Sequence, residues 1–383
     1  MWRLLFSSKE SDRGISSFQA LAVSLSGRVG TGNIAGVAAA IGIGGPGAVF
    51  WMWVVAFLGA STAYVESALG QIYKEEVDGQ FRGGPAYYFE KALGQKWYAW
   101  IFAVSTIIAV GVLLPTVQSN AIGAAVELAF GGEAVLTTGL GSVSYTKLIT
   151  ASVVVIFLGI IIFGGVKRIA HFTQIVVPFM ALGYIIMAVG IIGYHIEALP
   201  GIIKLIFSDA VSPMAGLGAA IGWGVKRGVY SNEAGQGSGP HAAAAAEVQH
   251  PAQQGLVQAF SVYIDTLFVC SATAFMILIT QQYYVSGLDA AVSGGVLSSN
   301  VIISSPAFTQ LALESVMGGF GKTFVAVALF FFAFTTLLAY YYIAETNVAY
   351  IRRTIHLPWL LNLLKIVTLS SVFYGTIRQA DLA

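Results

Sequence analysis

The chain has 383 residues, 57% of them hydrophobic and only 10% charged, with a formal net charge of +1 and a mean hydropathy of +0.78. A soluble domain carries roughly a quarter of charged residues, so this composition excludes one and specifies an integral membrane protein with the lipid bilayer as its solvent. The balanced charge gives no reason to expect a nucleic-acid partner, and Cys270, the single cysteine, excludes an internal disulfide and a cysteine-built metal site.

From the N-terminus, Met1 to Arg13 carries Arg3, Lys9 and Arg13 but neither a long apolar core nor a small-residue cleavage site, so no signal peptide is read there. Apolar segments of about 20 residues are expected near Phe18 to Ile43, Gly47 to Tyr73, Trp97 to Gly123, Leu148 to Val166, Thr173 to His195, Pro213 to Tyr230, Gly255 to Thr280, Thr323 to Tyr350 and Leu357 to Tyr374. Ile202 to Phe207 and Ala307 to Val316 are too short or too polar to cross, and read as helices on the surface or plugging a vestibule. The run Ala242 to Ala246 reads as plain helix continuation.

Lys and Arg near the span ends set the orientation. Arg3, Lys9, Arg13, Lys74, Arg82, Lys91, Lys96, Lys167, Arg168, Arg352 and Arg353 fall on one side, against Lys147, Lys204, Lys322 and Arg378 on the other. The first side is therefore cytoplasmic, and the first span runs outward.

Two of the spans are broken by glycines, at Val29-Gly30-Thr31-Gly32-Asn33 and at Ser231-Asn232-Glu233-Ala234-Gly235-Gln236-Gly237. In hydrocarbon an unpaired backbone N–H or C=O costs several kcal/mol, so a helix is interrupted only where protein, ligand or cavity water takes over the lost hydrogen bonds. The breaks fall in spans one and six, which makes the second half inverted, as in a secondary transporter with its site near the midplane. This is an all-α helical bundle of five-plus-five architecture, one transporter domain over 1–383, with a first repeat at about 14–196 and a second at about 211–383. The second half supplies four spans, so the last core helix is expected to be missing from this sequence.

Thr31, Gly32 and Asn33 occupy the first break, where a freed N–H meets a carboxylate at a half-helix N-terminus. An all-oxygen cation site is expected from carbonyls around Gly27 to Gly30 and the hydroxyl of Thr335 or Thr336; the alternative for Thr335 is a bond back to its own helix. Arg28 adjoins the first break and Glu233 lies in the second; a pair between them would link the two broken helices as a gate. Asp265 and Glu66 are the other intramembrane carboxylates, and for such a group sodium coordination, proton relay and pairing with Arg28 stay open. Gln118, Asn120, Thr335 and Thr336 are polar groups inside apolar helices, suited either to ligand or to interhelical bonds. Trp223 and Tyr340 are rings placed to cap a small substrate or to pack in the core. No cluster with a nucleophile or metal geometry is visible, so no enzyme is read here and no cofactor is expected.

The stretches SLSGRVGTGNIAGVAAAIGIGGPGAVFWMW, RGGPAYYFEKALG and GVKRGVYSNEAGQGSGPHAAAAA closely resemble the alanine or glycine:cation symporter family, with YIDTLFVC and YYYIAETNVAY as further support. The resemblance implies the leucine-transporter fold, a multi-pass plasma-membrane location and uptake of alanine or glycine coupled to sodium. Proton coupling, as in some members of that family, and a non-transporting amino-acid binder are the alternatives. It also places the substrate at Thr31, Gly32, Asn33, Gln118 and Thr336. Where the family often has a tryptophan against the substrate, this chain has Tyr340.

Overall fold

The computed structural model describes residues 2–6, 12–132, 135–138, 141–211, 216–289, 294–298, 306–355 and 357–378. Pro213, where the sixth span is expected to begin, and Lys9 lie outside them.

A short helix α1 (Trp2–Phe6) precedes the first span, which is split into α2 (Ser17–Arg28) and, after a tight turn at Thr31–Asn33, α3 (Ala35–Gly44). The capping box of α2 is reciprocal: Gln19 N–H donates to Ser16 Oγ at 3.2 Å and Ser16 N–H to Gln19 Oε1 at 2.8 Å. The second span, α4 (Ala48–Ile72), leads into a hairpin of β1 (Glu75–Val77) and β2 (Gln80–Arg82) and then α5 (Pro85–Leu93). Asp78 and Gly79 turn the hairpin with positive φ of 53° and 74°, the conformation a two-residue hairpin loop demands. The third span is α6 (Lys96–Phe130). A hairpin of β3 (Val135–Thr138) and β4 (Gly141–Ser144) joins it to α7 (Tyr145–Ile162) and α8 (Gly165–Tyr194).

In the second half, α9 (Leu199–Val211) lies before the sixth span, which is split into α10 (Leu217–Asn232) and α11 (Gly239–Ala245). The seventh span is α12 (Pro251–Ile279). It is followed by α13 (Ala307–Met317), α14 (Gly321–Arg352) and α15 (Leu360–Ile377). Seven of these helices are long and apolar enough to cross a membrane, and the two broken ones complete the nine expected spans. The fifth begins at Gly165 rather than Thr173 and the third runs to Phe130 rather than Gly123, because polar residues near a span end continue a helix once they face away from lipid.

Helices α12 and α14 form the centre, 72% buried along their apolar stretches against 17% for α6. Phe57, Leu58, Phe179 and Ile186 stand exposed on α4 and α8, an apolar exterior that only lipid covers favourably. Both connectors are short helices; α13 buries Phe308, Thr309 and Gln310, so it is the plugging one. Asp209 of α9 accepts the Gly47 N–H at 2.7 Å and ties that connector to the start of α4.

One end of the bundle gathers charge. Arg82 pairs with Glu345 at 2.8 Å, Lys91 with Glu75 at 2.9 Å, Arg13 with Glu76 at 3.1 Å and Arg352 with Asp78 at 3.6 Å, while Arg353 bridges Glu75 and Glu90. These are the basic residues assigned to the cytoplasmic side. The inner halves of the two broken helices meet here as well. Ile15 N–H donates to Ala245 O and Glu247 N–H to Ile15 O, both at 3.0 Å, a main-chain seam joining the lead into α2 to the end of α11. Helices α3 and α10 therefore occupy the opposite, outer half.

Two spans carry a π-type widening. In α6 it covers Ala109–Leu113 and precedes Pro115, which has no N–H for the Gly111 carbonyl. Thr368 of α15 donates to that carbonyl at 2.9 Å instead. In α12 it covers Ile264–Cys270 and turns Asp265 inward.

Candidate functional site

The first break is answered group by group. Helix α2 closes with Val29 N–H on Leu25 O at 2.7 Å. Gly30 N–H then donates to Asn33 Oδ1 at 2.8 Å and Thr31 N–H to Gln118 Oε1 at 3.1 Å. The Ser26 carbonyl, which has lost its helical donor, accepts the Thr336 hydroxyl at 2.8 Å, with Val29 O at 3.5 Å and Phe332 O at 2.9 Å around the same oxygen. Gly30 must be glycine here, because a methyl group would stand 2.5 Å from Thr336 Oγ1 and 3.0 Å from Gln118 Oε1.

The second break uses a different partner. Glu233, at φ 53°, takes the left-handed conformation that non-glycine residues rarely adopt, and Gly235 and Gly237 follow at 81° and 82°. The freed N–H groups of Gly235 and Gly237 donate to the two carboxylate oxygens of Glu66 at 3.2 and 3.1 Å. That intramembrane acid thus takes the structural alternative, with backbone N–H groups of the second break rather than Arg28 as its hydrogen-bond partners.

Between the breaks lies a fully buried cluster around Asp265. Its Oδ1 accepts from Asn33 Nδ2 at 2.7 Å and Ser231 Oγ at 3.1 Å, and its Oδ2 from Thr266 Oγ1 at 2.8 Å. Cys270 Sγ closes the group, 3.2 Å from Ser231 Oγ and 3.3 Å from Asn33 Nδ2. Asn33 therefore spends its amide on Asp265 and Gly30, joining the first break to α12.

Other expected residues fall in several places. Arg28 does not pair with Glu233. Its Nη1 donates to Gln258 O at 3.0 Å and to Ser261 Oγ on α12, and its Nε and Nη2 have no partner. Glu233 turns the other way, with Oε2 at 3.4 Å from where a side chain on Gly27 would begin, and lines a small cleft with Ser24, Ala339 and Tyr342. Tyr340 is buried beside Glu233 and Gln118. The Thr335 hydroxyl bonds back to Phe331 O at 2.9 Å and Phe332 O at 3.0 Å, so Thr336 alone of the pair reaches the first break. The carbonyls offered there are those of Ser26 and Val29; Gly30 O accepts Asn33 N–H at 3.2 Å.

Trp223 is not brought to the first break. It stands beside Gly44 at the outer end of α3, 3.0 Å from the position of a Cβ there. The ring nearest Gly32 is Tyr230, at 3.3 Å from such a position, together with Ser231. Both were missed among the candidates, although Tyr230 immediately precedes the break and is its last large side chain.

The fold that carries these two breaks is similar to that of MhsT in complex with L-phenylalanine, at a TM-score of 0.66 and 16% identity over 98% of this chain and 83% of that one. The family model for sodium:alanine symporters matches residues 1–383. The chain belongs to the sodium:alanine symporter family. Within the family it is 57% identical to the putative sodium/proton-dependent alanine carrier protein YrbD of Bacillus subtilis, over 99% of this chain and 76% of that one. It is 47% identical to a sodium/proton-dependent alanine carrier protein of Bacillus sp. strain PS3, over 100% and 84%. Like these symporters it is a multi-pass protein of the cell membrane.

Proposed function

We propose that the protein is a sodium-driven symporter of small neutral amino acids, alanine foremost and glycine with it, working by alternating access around the first helix break. The observation that carries this reading is the pair of backbone groups freed at the first break and held by neutral side chains, the Thr31 N–H by Gln118 and the Ser26 carbonyl by Thr336. Neutral partners of this kind exchange for ligand atoms without stranding a buried charge.

The substrate carboxylate sits at the N-terminus of α3, against Thr31 and Gly32, where the half-helix dipole favours negative charge. Its ammonium group lies toward Glu233, and Tyr340 and Tyr230 bound the space left for the side chain. Sodium takes the place the Thr336 hydroxyl now bridges, with Ser26 O, Val29 O and Phe332 O as further ligands. A hydroxyl and carbonyls suit a hard cation and offer nothing to titrate, which favours sodium over a proton at this position. Asp265, with Asn33 and Ser231, is the second cation candidate and the one able to take a proton instead, in keeping with relatives named for both ions. The ion and the amino acid favour the same occluded state, so each strengthens binding of the other by the same factor. No covalent chemistry is involved.

The test is uptake of labelled alanine into proteoliposomes under an inward sodium gradient. Accumulation above equilibrium that vanishes when the gradient is collapsed is the expected result. Accumulation indifferent to both sodium and proton gradients would overturn the reading, and alanine binding without flux would mark a binding protein.

A further inference from the structure

Outside the first break, the outer half of the second broken helix holds two cations that pair with no carboxylate among the described residues. Lys226 Nζ lies 4.4 Å and the Arg227 guanidinium carbon 5.1 Å from the centre of the Trp223 ring. Neither makes an ion pair among the described residues, and Arg227 Nε is buried without a partner. Asp209, the acid on α9, accepts the Gly47 N–H.

Their height above the site follows from α10 and the two glycines it passes. Gly32, in the turn of the first break, faces Tyr230 and Ser231, whereas Gly36 of α3 faces Arg227, whose Cδ lies 3.9 Å from where a Cβ would be. Arg227 precedes Tyr230 by three residues of α10, a rise of about 4.5 Å, so it stands nearly one turn outward of the tyrosine that covers Gly32. An arriving solute meets the guanidinium before it meets Tyr230. Trp223 meets that guanidinium in a cation–π contact, an interaction that uses none of its N–H donors.

We propose that Arg227, assisted by Lys226, is an entry site for the carboxylate of the incoming zwitterionic amino acid, occupied on the way to the first break. This rests on the transport reading given above and adds a waypoint to it. A single guanidinium offers a carboxylate two parallel hydrogen bonds. Tyr230 separates the two stations. A site of this kind raises the rate of arrival and of departure together and leaves the final affinity where it was, because it is empty once the substrate has moved on.

The experiment is stopped-flow tryptophan fluorescence of the full chain mixed with alanine at fixed sodium, with ionic strength varied by choline chloride. Electrostatic steering accelerates association of a net-charged solute by about 10- to 1000-fold and fades with salt; a zwitterion has no net charge and feels the guanidinium only at short range, so the lower end and a shallow salt dependence apply. Arg227→Gln is expected to associate up to about tenfold more slowly, to lose the salt dependence the wild type shows and to keep its equilibrium affinity within about twofold, while Arg227→Lys retains most of the rate. In the wild type, acetate at tens of millimolar should slow alanine association, which keeps the test available if Arg227→Gln does not fold. Arg227→Gln associating at the wild-type rate with the same salt dependence would overturn the proposal, as would acetate leaving the wild-type rate unchanged. A wild type that never binds alanine would instead defeat the transport reading itself.

Discussion

The two helix breaks solve one backbone problem with opposite chemistry. At the second, Glu66 holds two N–H groups with a carboxylate and left-handed residues fix the turn; at the first, an amide oxygen and a hydroxyl hold the freed groups. Hydrogen bonds to a charged acceptor are stronger than those to neutral ones by about a factor of two. The second break is thus a fixed frame, and the first is the part whose bonds are weak enough to be traded for a ligand.

The sharpest way to break this contrast is to remove the frame. Glu66→Ala deletes an acceptor worth about 1.5–3 kcal/mol for each of two N–H groups and leaves both buried without a partner. The apparent melting temperature in detergent, followed by size-exclusion chromatography, should fall by many degrees. A midpoint within a degree of the wild type would mean that the second break does not depend on its carboxylate.

Gly30→Ala attacks the first break instead. Its methyl group meets Thr336 Oγ1 at 2.5 Å, so the hydroxyl must move off the Ser26 carbonyl. Alanine binding measured by calorimetry should weaken at least about tenfold, one unmade hydrogen bond's worth, while the protein still runs as a monodisperse peak. Unchanged affinity would detach the Thr336 hydroxyl from the site.

Comparing Thr336→Ala with Thr335→Ala separates neighbours that sequence treats alike. The first should raise the sodium concentration for half-maximal alanine binding by about tenfold, the loss of one ligand at about 1 to 2 kcal/mol. The second should shift it by less than about twofold, because that hydroxyl bonds back along its own helix and toward Met180 of α8 rather than to the first break. Equal shifts would place the cation elsewhere, with Asp265 the next position to change.

The smallest effect belongs to Tyr340→Trp. Filling the pocket by part of a ring should favour glycine over alanine in competition assays, by no more than the roughly 1–3 kcal/mol that one methylene commands. Equal effects on both amino acids would remove Tyr340 from the substrate's side chain.

Much of this was legible beforehand, and the reason lies in the bilayer. Glycines inside an apolar span have few innocent uses, so both breaks and the nine spans follow from composition and spacing, as does the gathering of Arg13, Arg82, Lys91, Arg352 and Arg353 at one end. Gln118 and Thr336 needed the family resemblance, since a polar residue in a membrane helix looks the same whether it serves a ligand or a neighbouring helix. The unread part was the pairing across long sequence distances. Nothing local says that Glu66 reaches Gly235 or that Arg28 turns to Gln258 rather than Glu233. Which of two adjacent threonines faces the break depends on the rotation of α14, and Trp223 reads as a cap only until α10 is seen to carry it two turns outward.

The main-chain seam between Ile15 and the stretch from Ala245 to Glu247 gives the molecule a built-in clock. Parting the inner halves of the two broken helices toward the cytoplasm exposes the amide protons of Ile15 and Glu247 to water, and closing them protects those protons again. Deuterium uptake at these two positions therefore counts inward openings directly, whatever the substrate and without any label. Sodium alone and sodium with alanine should set that count at different rates.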